Sequence, residues 1–306
     1  MEMRSEEREV WSKRFLSLME SPWAYYAVLL FPILQYAGFT FFGPRGTLLV
    51  AVLGFVMVPL VDWMLGPASR VIRRTDAEKR FLERQWSFRI VTYFYALVMY
   101  PMLSWSIGQA VRSPSTGVYI GLAFGMGIVS SVGLNISHEL MHKSLWAERA
   151  AGKFILSCVG NFYYFVEHTR GHHKLVGTAE DAATSQFGES FYRYWPRMIS
   201  TSIQDAWALE IERAKQNRSN SVFNTANVML QSIFMSAFVV ATLALTHGVD
   251  AIRFFFWQAF VAWFLLDLIN YVEHYGLVRL KDSDGKYSGV TRHLSWDSCY
   301  PMSNIM

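Results

Sequence analysis

The sequence predicts an all-α integral membrane protein, with six transmembrane helices and a histidine-rich site on the cytoplasmic side. Three observations lead there. The 306 residues are 52% hydrophobic and 16% aromatic, with eleven tryptophans, a more apolar mixture than an ordinary soluble domain carries. Apolar runs of about 20 residues recur, each long enough to cross a ~30 Å hydrocarbon layer as a helix. Five of the eight histidines crowd between His138 and His173, just past one of those runs.

In chain order the predicted spans are 24–42, 46–66, 90–111, 117–137, 222–246 and 251–272. The first two are joined by "GPR", which leaves room only for a tight helical hairpin. Pro32, Pro59 and Pro101 fall inside spans, where packed neighbours make proline tolerable. The stretch 154–166, "FILSCVGNFYYFV", is too short to span and reads as a half-buried or interfacial helix. Residues 138–221 form a histidine-bearing segment between spans, and the whole chain reads as a single membrane domain.

Lysine and arginine orient these spans. With the N-terminus in the cytoplasm, the N-terminal tail, the 67–89 loop, the 138–221 segment and the C-terminal tail hold 25 of the 28 Lys and Arg residues. The opposite side holds Arg45 and Arg112, and Arg253 lies at a helix end. This is the asymmetry of the positive-inside rule, and it places both histidine boxes and His274 at the cytoplasmic face. A net charge of +4 gives no support to a nucleic-acid partner. Cys158 and Cys299 make neither a disulfide framework nor a CxxC thiolate site. No short apolar segment with a small-residue cleavage site precedes the first run, so no removable signal peptide is expected.

In "SHELMHKSL", His138 and His142 stand at i and i+4, one face of a helix. In "VEHTRGHHKL", His168 and His172 repeat that spacing, with His173 on the adjacent flank. Within the last span, Asp267, Asn270, Tyr271 and His274 make one polar stripe; such groups usually face a bundle interior or cavity. Imidazole suits iron, zinc or copper. Catalytic zinc usually takes three protein ligands, so six clustered histidines exceed one ion and begin a two-metal site. The spacing does not choose the metal.

HExxH alone also fits a zinc protease with Glu139 as general base, but a protease has no use for the extra imidazoles of HxxxHH. His247 reads as solvated on the opposite side, and His293 is open to either reading. Glu139, Glu167 and Glu273 each adjoin a histidine, and Asp181 lies in a following loop. Any of these could accept a ring N–H from a histidine of another box. Asp267, on the stripe, is a stronger functional candidate than Asp62. A structural hydrogen bond accounts for each carboxylate equally well.

"HELMHK", "EHTRGHH" and "NYVEHYGL", with the flanking "GHHKLVGTAEDAATSQFGESFYRYWPR", resemble the integral-membrane alkane hydroxylases, or alkane 1-monooxygenases, over essentially the whole chain. The resemblance implies a non-haem di-iron centre held by His138, His142, His168, His172, His173 and His274. It further implies dioxygen as oxidant and hydroxylation of the terminal methyl of a medium- or long-chain alkane to a primary alcohol. Electrons would come from a rubredoxin reduced by an NAD(P)H-dependent reductase, with the protein in the lipid bilayer of the inner membrane if it is bacterial. Xylene-type hydroxylases and fatty-acyl hydroxylases or desaturases are related alternatives, and "NYVEHYGL" favours the alkane and xylene side. The family pattern also carries a third box, near HSDHH, beyond a tail like "HLSWDSCYPMSNIM", with His where Leu294 stands here. The sequence is therefore expected to be the front part of a longer chain.

Overall fold

The computed structural model describes residues 22–67, 85–217, 221–281, 283–296, 298, 300 and 302–303. Among these residues the structure is helical, apart from an isolated antiparallel bridge between Lys281 and Tyr287. Among the described residues, five helical stretches are long and apolar enough to cross a bilayer, which makes this an integral membrane protein. Contacts divide the chain into two compact units, Met1–Ile136 with Ser298–Met306, and Ser137–Asp297.

In the first unit the apolar stretch Trp23–Leu65 is 43 residues long and contains both of the first two predicted spans. It turns back on itself. Helix α1 (Leu30–Phe42) ends at Gly43, a 3-10 turn runs over Gly43–Leu48, and helix α2 (Val58–Leu65) closes the return arm after a wide turn at Leu53–Met57. Gly43 has φ +60°, a conformation that costs glycine nothing. The two arms touch at Gly38 and Gly46, where a Cβ on Gly46 would lie 1.8 Å from the Gly38 carbonyl oxygen. Further out, a Cβ on Gly54 would lie 3.5 Å from the Phe31 ring. Pro32 lies just past the 3-10 segment Tyr26–Leu29 and Pro59 just past the wide turn Leu53–Met57, local changes of helix type that accommodate a missing N–H inside a membrane helix.

Helices α3 (Trp86–Arg112) and α4 (Thr116–Met141) complete this unit's apolar core. The fully buried Tyr95 hydroxyl donates to the Val129 carbonyl at 2.6 Å, and buried Gln35 donates through Nε2 to the Leu122 carbonyl at 3.1 Å. Gly121 and Gly125 on α4 make room for Thr47 and Gln35, the small-residue contact that lets membrane helices approach closely. Asp62, buried near the end of α2, accepts from the Met302 N–H (2.7 Å), the Ser303 N–H (3.0 Å) and the Ser303 hydroxyl (2.5 Å). Its role is structural.

The second unit holds the end of α4, helix α5 (Trp146–Ser157), the short α6 (Tyr164–Glu167), and helices α7 (Phe191–Gln216), α8 (Val228–His247) and α9 (Asp250–Glu273). Two expectations change here. The 154–166 stretch is not one helix: α5 ends at Ser157, Gly160 takes φ +64°, and helix resumes only at Tyr164. The 222–246 span starts later, at Val228, because the Asn227 side chain caps the helix by accepting the Leu230 N–H at 3.0 Å. The predicted spans 90–111, 117–137 and 251–272 lie within about four residues of the observed helices. The N-terminal basic residues, most of the basic 67–89 loop and Cys299 lie outside the described residues. Cys158 is a buried free thiol whose pKa burial pushes up to about 12, so it offers no thiolate.

The hairpin contact can be tested directly. Gly43→Ala meets open space and only the left-handed backbone resists it, a cost of about 1–2 kcal/mol. Gly46→Ala must push the two backbones apart. Its melting temperature in detergent should fall several degrees further than that of Gly43→Ala, and equal melting would refute the close approach.

Candidate metal centre

The last turn of α4 carries His138, and His142 follows one residue after the helix ends. Their rings are 5.0 Å apart, edge to face. The second box comes up against them. The His168 ring lies 4.5 Å from His138 and 5.4 Å from His142. His173 Nε2 approaches His142 Nε2 at 3.2 Å and His168 Nε2 at 3.0 Å. One ligand nitrogen from each of these four imidazoles lies within 4.8 Å of all the others, a grouping that could hold a metal ion.

His172 is not in that group, although its ring packs against it. Residues His168–His172 form a π-turn, whose wider i→i+5 pitch brings His173 Nε2 to 3.0 Å from His168 Nε2, while the His172 ring stacks on His168 at 5.2 Å. The expected i, i+4 neighbourhood of His168 and His172 is therefore present, with His173 on the adjacent flank. The Nδ1 of His172 is engaged elsewhere, 3.1 and 3.0 Å from the two carboxylate oxygens of Asp181. Its ring lies 4.9 Å from that of His274, the residue capping α9. His274 Nδ1 lies 2.9 Å from the Leu294 carbonyl. A carboxylate and a carbonyl can only accept, so Nδ1 carries the proton in both rings and Nε2 presents the lone pair. The six predicted imidazoles therefore come together in one neighbourhood: four with converging nitrogens, and His172, stacked on His168 at 5.2 Å, leading to His274.

The predicted carboxylates separate. Asp181 is buried, and beyond His172 it accepts from the Thr184 hydroxyl at 2.6 Å and the Ala183 N–H at 3.3 Å. Glu139 turns away and pairs with Lys143 at 2.5 Å, its side chain 59% exposed, so it does not serve the imidazoles as a base. Glu167 is buried beside the second box, and burial raises its pKa to about 7. Asp267 accepts from the Trp195 indole at 2.8 Å. Glu273 accepts from the Ser295 hydroxyl at 2.9 Å, and its carbonyl takes the Trp296 N–H at 2.8 Å. Those two bonds steady the tail segment that carries the Leu294 carbonyl. His247 and His293 stand outside the four-imidazole group.

Sequence reasoning missed the Leu294 carbonyl, the Thr184 hydroxyl and Tyr164, whose ring stacks on His168 at 4.9 Å. Only the Asp181 turn left a signal: in "EDAATS" the Asp can accept the N–H two residues on, that of Ala183, an Asx-turn that brings the Thr184 hydroxyl to the same carboxylate. The backbone carbonyl left none.

Electrostatics separates the two groups as well. Burial holds the His173 pKa down to about 4, with repulsion from His142 and His172 adding to it. Burial and the neighbouring imidazoles hold His168 well below the usual range, and burial lowers His142. For His172 burial acts in the same sense, but the hydrogen bond and charge of Asp181 outweigh it and leave the pKa raised. The four-imidazole cluster thus offers free lone pairs at neutral pH, and its all-nitrogen donor set fits iron, zinc or copper.

A histidine whose folded pKa is lowered binds its proton less readily than in the unfolded chain, so acid favours unfolding. The metal-free protein should lose stability as pH falls from about 6.5 towards about 4, the window set by His173. In a histidine NMR titration His173 should titrate near 4 and His172 above 6.5; the reverse order would contradict the arrangement.

Comparison with known proteins agrees with this geometry. A family model described as fatty acid desaturase matches residues 113–306. The alkane 1-monooxygenase of Ectopseudomonas oleovorans is 34% identical over 264 residues, covering 84% of this chain and 64% of that protein. Alkane 1-monooxygenase 1 of Pseudomonas aeruginosa is 34% identical over 265 residues, 85% of this chain and 68% of the relative. The xylene/toluene monooxygenase hydroxylase component XylM of Pseudomonas putida is more distant, 23% identical over 203 residues, with 66% of this chain and 53% of that protein covered. The chain spans 64% of the length of the first of these relatives. Matched by the desaturase model over more than half its length and by these monooxygenases over most of it, the chain belongs to the fatty acid desaturase family and groups within it with the alkane 1-monooxygenases.

Proposed function

We propose that this chain forms the membrane part of a non-haem di-iron monooxygenase acting on the terminal methyl of medium- or long-chain alkanes. The reaction joins an alkane, dioxygen, two electrons and two protons to give a primary alcohol and water. The electrons come from a rubredoxin-type carrier supplied by an NAD(P)H-dependent reductase. The observation that carries this reading is the gathering of six imidazoles into one neighbourhood, four with converging nitrogens and His172 and His274 beside them, at the ends of two apolar helices and on the short segment between.

In this reading His138, His142, His168 and His173 hold one iron, and His172 and His274 begin the site of the second. Asp181 and the Leu294 carbonyl fix the two outlying rings through Nδ1, and such partners typically contribute about 10–100-fold in metal affinity. When bound, the irons supply the activation of dioxygen. The chain's own residues do the remaining work. Tyr164, stacked on His168 and buried, keeps water from one side of the imidazoles. An alkane has no polar handle, so shape and burial between apolar helices position it. Selectivity for the chain end follows if the methyl alone reaches the oxidant. The distribution of Lys and Arg along the sequence supports a cytoplasmic site, with a basic surface suited to an acidic electron carrier.

The zinc-protease alternative is disfavoured by Glu139, which pairs with Lys143 on an exposed flank where a general base is required. The lower identity to XylM disfavours a xylene substrate.

The test uses octane, hexadecane and xylene as substrates, with NADH, a reductase and a rubredoxin, and gas chromatography of the products. The expected products are 1-octanol or 1-hexadecanol, from protein that carries iron. His172→Ala should lower both bound iron and alcohol formation by at least about tenfold, no less than the loss of an outer-shell partner causes. Protein holding one zinc and no iron, or product from xylene alone, would overturn the proposal.

A further inference from the structure

Between the ligand histidines of the second box stands Arg170, a cation that the metal centre does not use. Its Nη1 donates to Glu210 Oε1 on α7 at 2.6 Å. Glu210 is buried, 1% exposed. Its other oxygen accepts from Arg213 Nη2 at 2.9 Å, Arg213 Nε at 3.2 Å and the Val228 N–H at 3.2 Å. Arg213 also donates to the Ala226 carbonyl. One buried carboxylate thus gathers donors from the second histidine box, from its own helix and from the first residue of α8.

Stability alone does not account for this network. Apolar residues of similar volume usually replace a buried ion cluster with no loss of stability, and often with a gain. Charged hydrogen bonds supply something that apolar packing lacks, a fixed direction. The segment that Arg170 belongs to needs one. A π-turn is less favourable than the α-helical turn it replaces and persists where its surroundings hold it. Should His168–His172 relax to an α-turn, His173 would rotate by a fraction of a turn away from His168 and His142, whose nitrogens it now meets at 3.0 and 3.2 Å. A second contact bears on the same turn: Gly171 lies flush against α7, where a Cβ on it would come 3.5 Å from Leu209 Cδ1, next to Glu210.

We propose that Glu210 is a positioning residue for the metal centre. Through Arg170 it locks the π-turn of the second box and so holds His173 in the four-imidazole cluster while His172, stacked on His168, keeps its contacts with Asp181 and His274. The inference rests on the metal-centre reading, and cobalt(II) can probe the two separately. Cobalt(II) is titrated into the purified full chain in detergent and followed by its visible absorption, with circular dichroism and thermal melting alongside. The unmodified chain is the control for the metal-centre reading: if it binds no cobalt, that reading fails whatever Glu210 does.

Glu210→Gln keeps the shape and removes the charge. It should bind cobalt at least about tenfold more weakly, with a changed spectrum, while its helicity stays that of the unmodified chain. Arg170→Met cuts the link to the second box and leaves Glu210 with Arg213 and the Val228 N–H. It should keep a melting temperature closer to that of the unmodified chain than Glu210→Gln does, yet change the cobalt spectrum, an outcome that a merely structural role does not produce. If Glu210→Gln does not fold, Arg170→Met decides. A folded variant of either kind with the unmodified chain's cobalt affinity and spectrum overturns the proposal.

Discussion

Imidazoles brought together at one point can serve a metal only as neutral rings, and everything in the second unit bends to that requirement. Water would stabilise protons on them; burial removes it. His168, nearly enclosed and ringed by four other histidines, is held far from protonation. Each imidazole also makes a proton on its neighbour less favourable. The cluster is therefore set for a cation by the same low-dielectric surroundings that make it poor at keeping protons. His172 departs from this because Asp181 lies against its other nitrogen. The two groups of ligands differ in charge response as well as in place.

That difference depends on chain crossings behind the rings. Two loops interlock there. Gly276 donates its N–H to Ser185 at 2.9 Å, Arg279 to Gly177 at 2.6 Å, and the Ser185 hydroxyl to Tyr271 at 2.7 Å. Gly177, at φ +77°, sits so close beneath Leu294 that a Cβ would lie 2.8 Å from its Cδ2. A side chain there would displace the residue whose carbonyl holds His274. The Asp181 loop and the Leu294 segment are thus fitted to each other, and between them they orient the two outlying rings.

The spans were legible because hydropathy reports burial in lipid regardless of detail. Where polar capping opposes hydropathy, the sequence misleads: Val222 and Phe223 extend an apolar run, yet Asn227 starts the helix five residues later. Helix α7 went unread because it lies in a charged segment with no span-length run, although its buried Tyr194, Met198, Ser202, Ala206 and Glu210 recur at helical spacing. All six imidazoles were legible as a set. Which nitrogens converge was not, since "HTRGHHKL" suits an α-helix as well as a π-turn.

The carboxylates follow a rule that the histidine spacing obscures. Neighbours on a helix diverge by about 100°, so a residue beside a ligand points away from what the ligand points at. Glu139 goes to Lys143, and Glu273 to the tail. The groups that do meet an imidazole come from a distance: Asp181 from nine residues beyond His172, and the Leu294 carbonyl from twenty beyond His274. An orienting partner has to approach its ring from outside the helix that bears it. Such a partner is supplied by tertiary structure, and for the same reason a change in either loop can alter the metal centre while leaving every histidine in place.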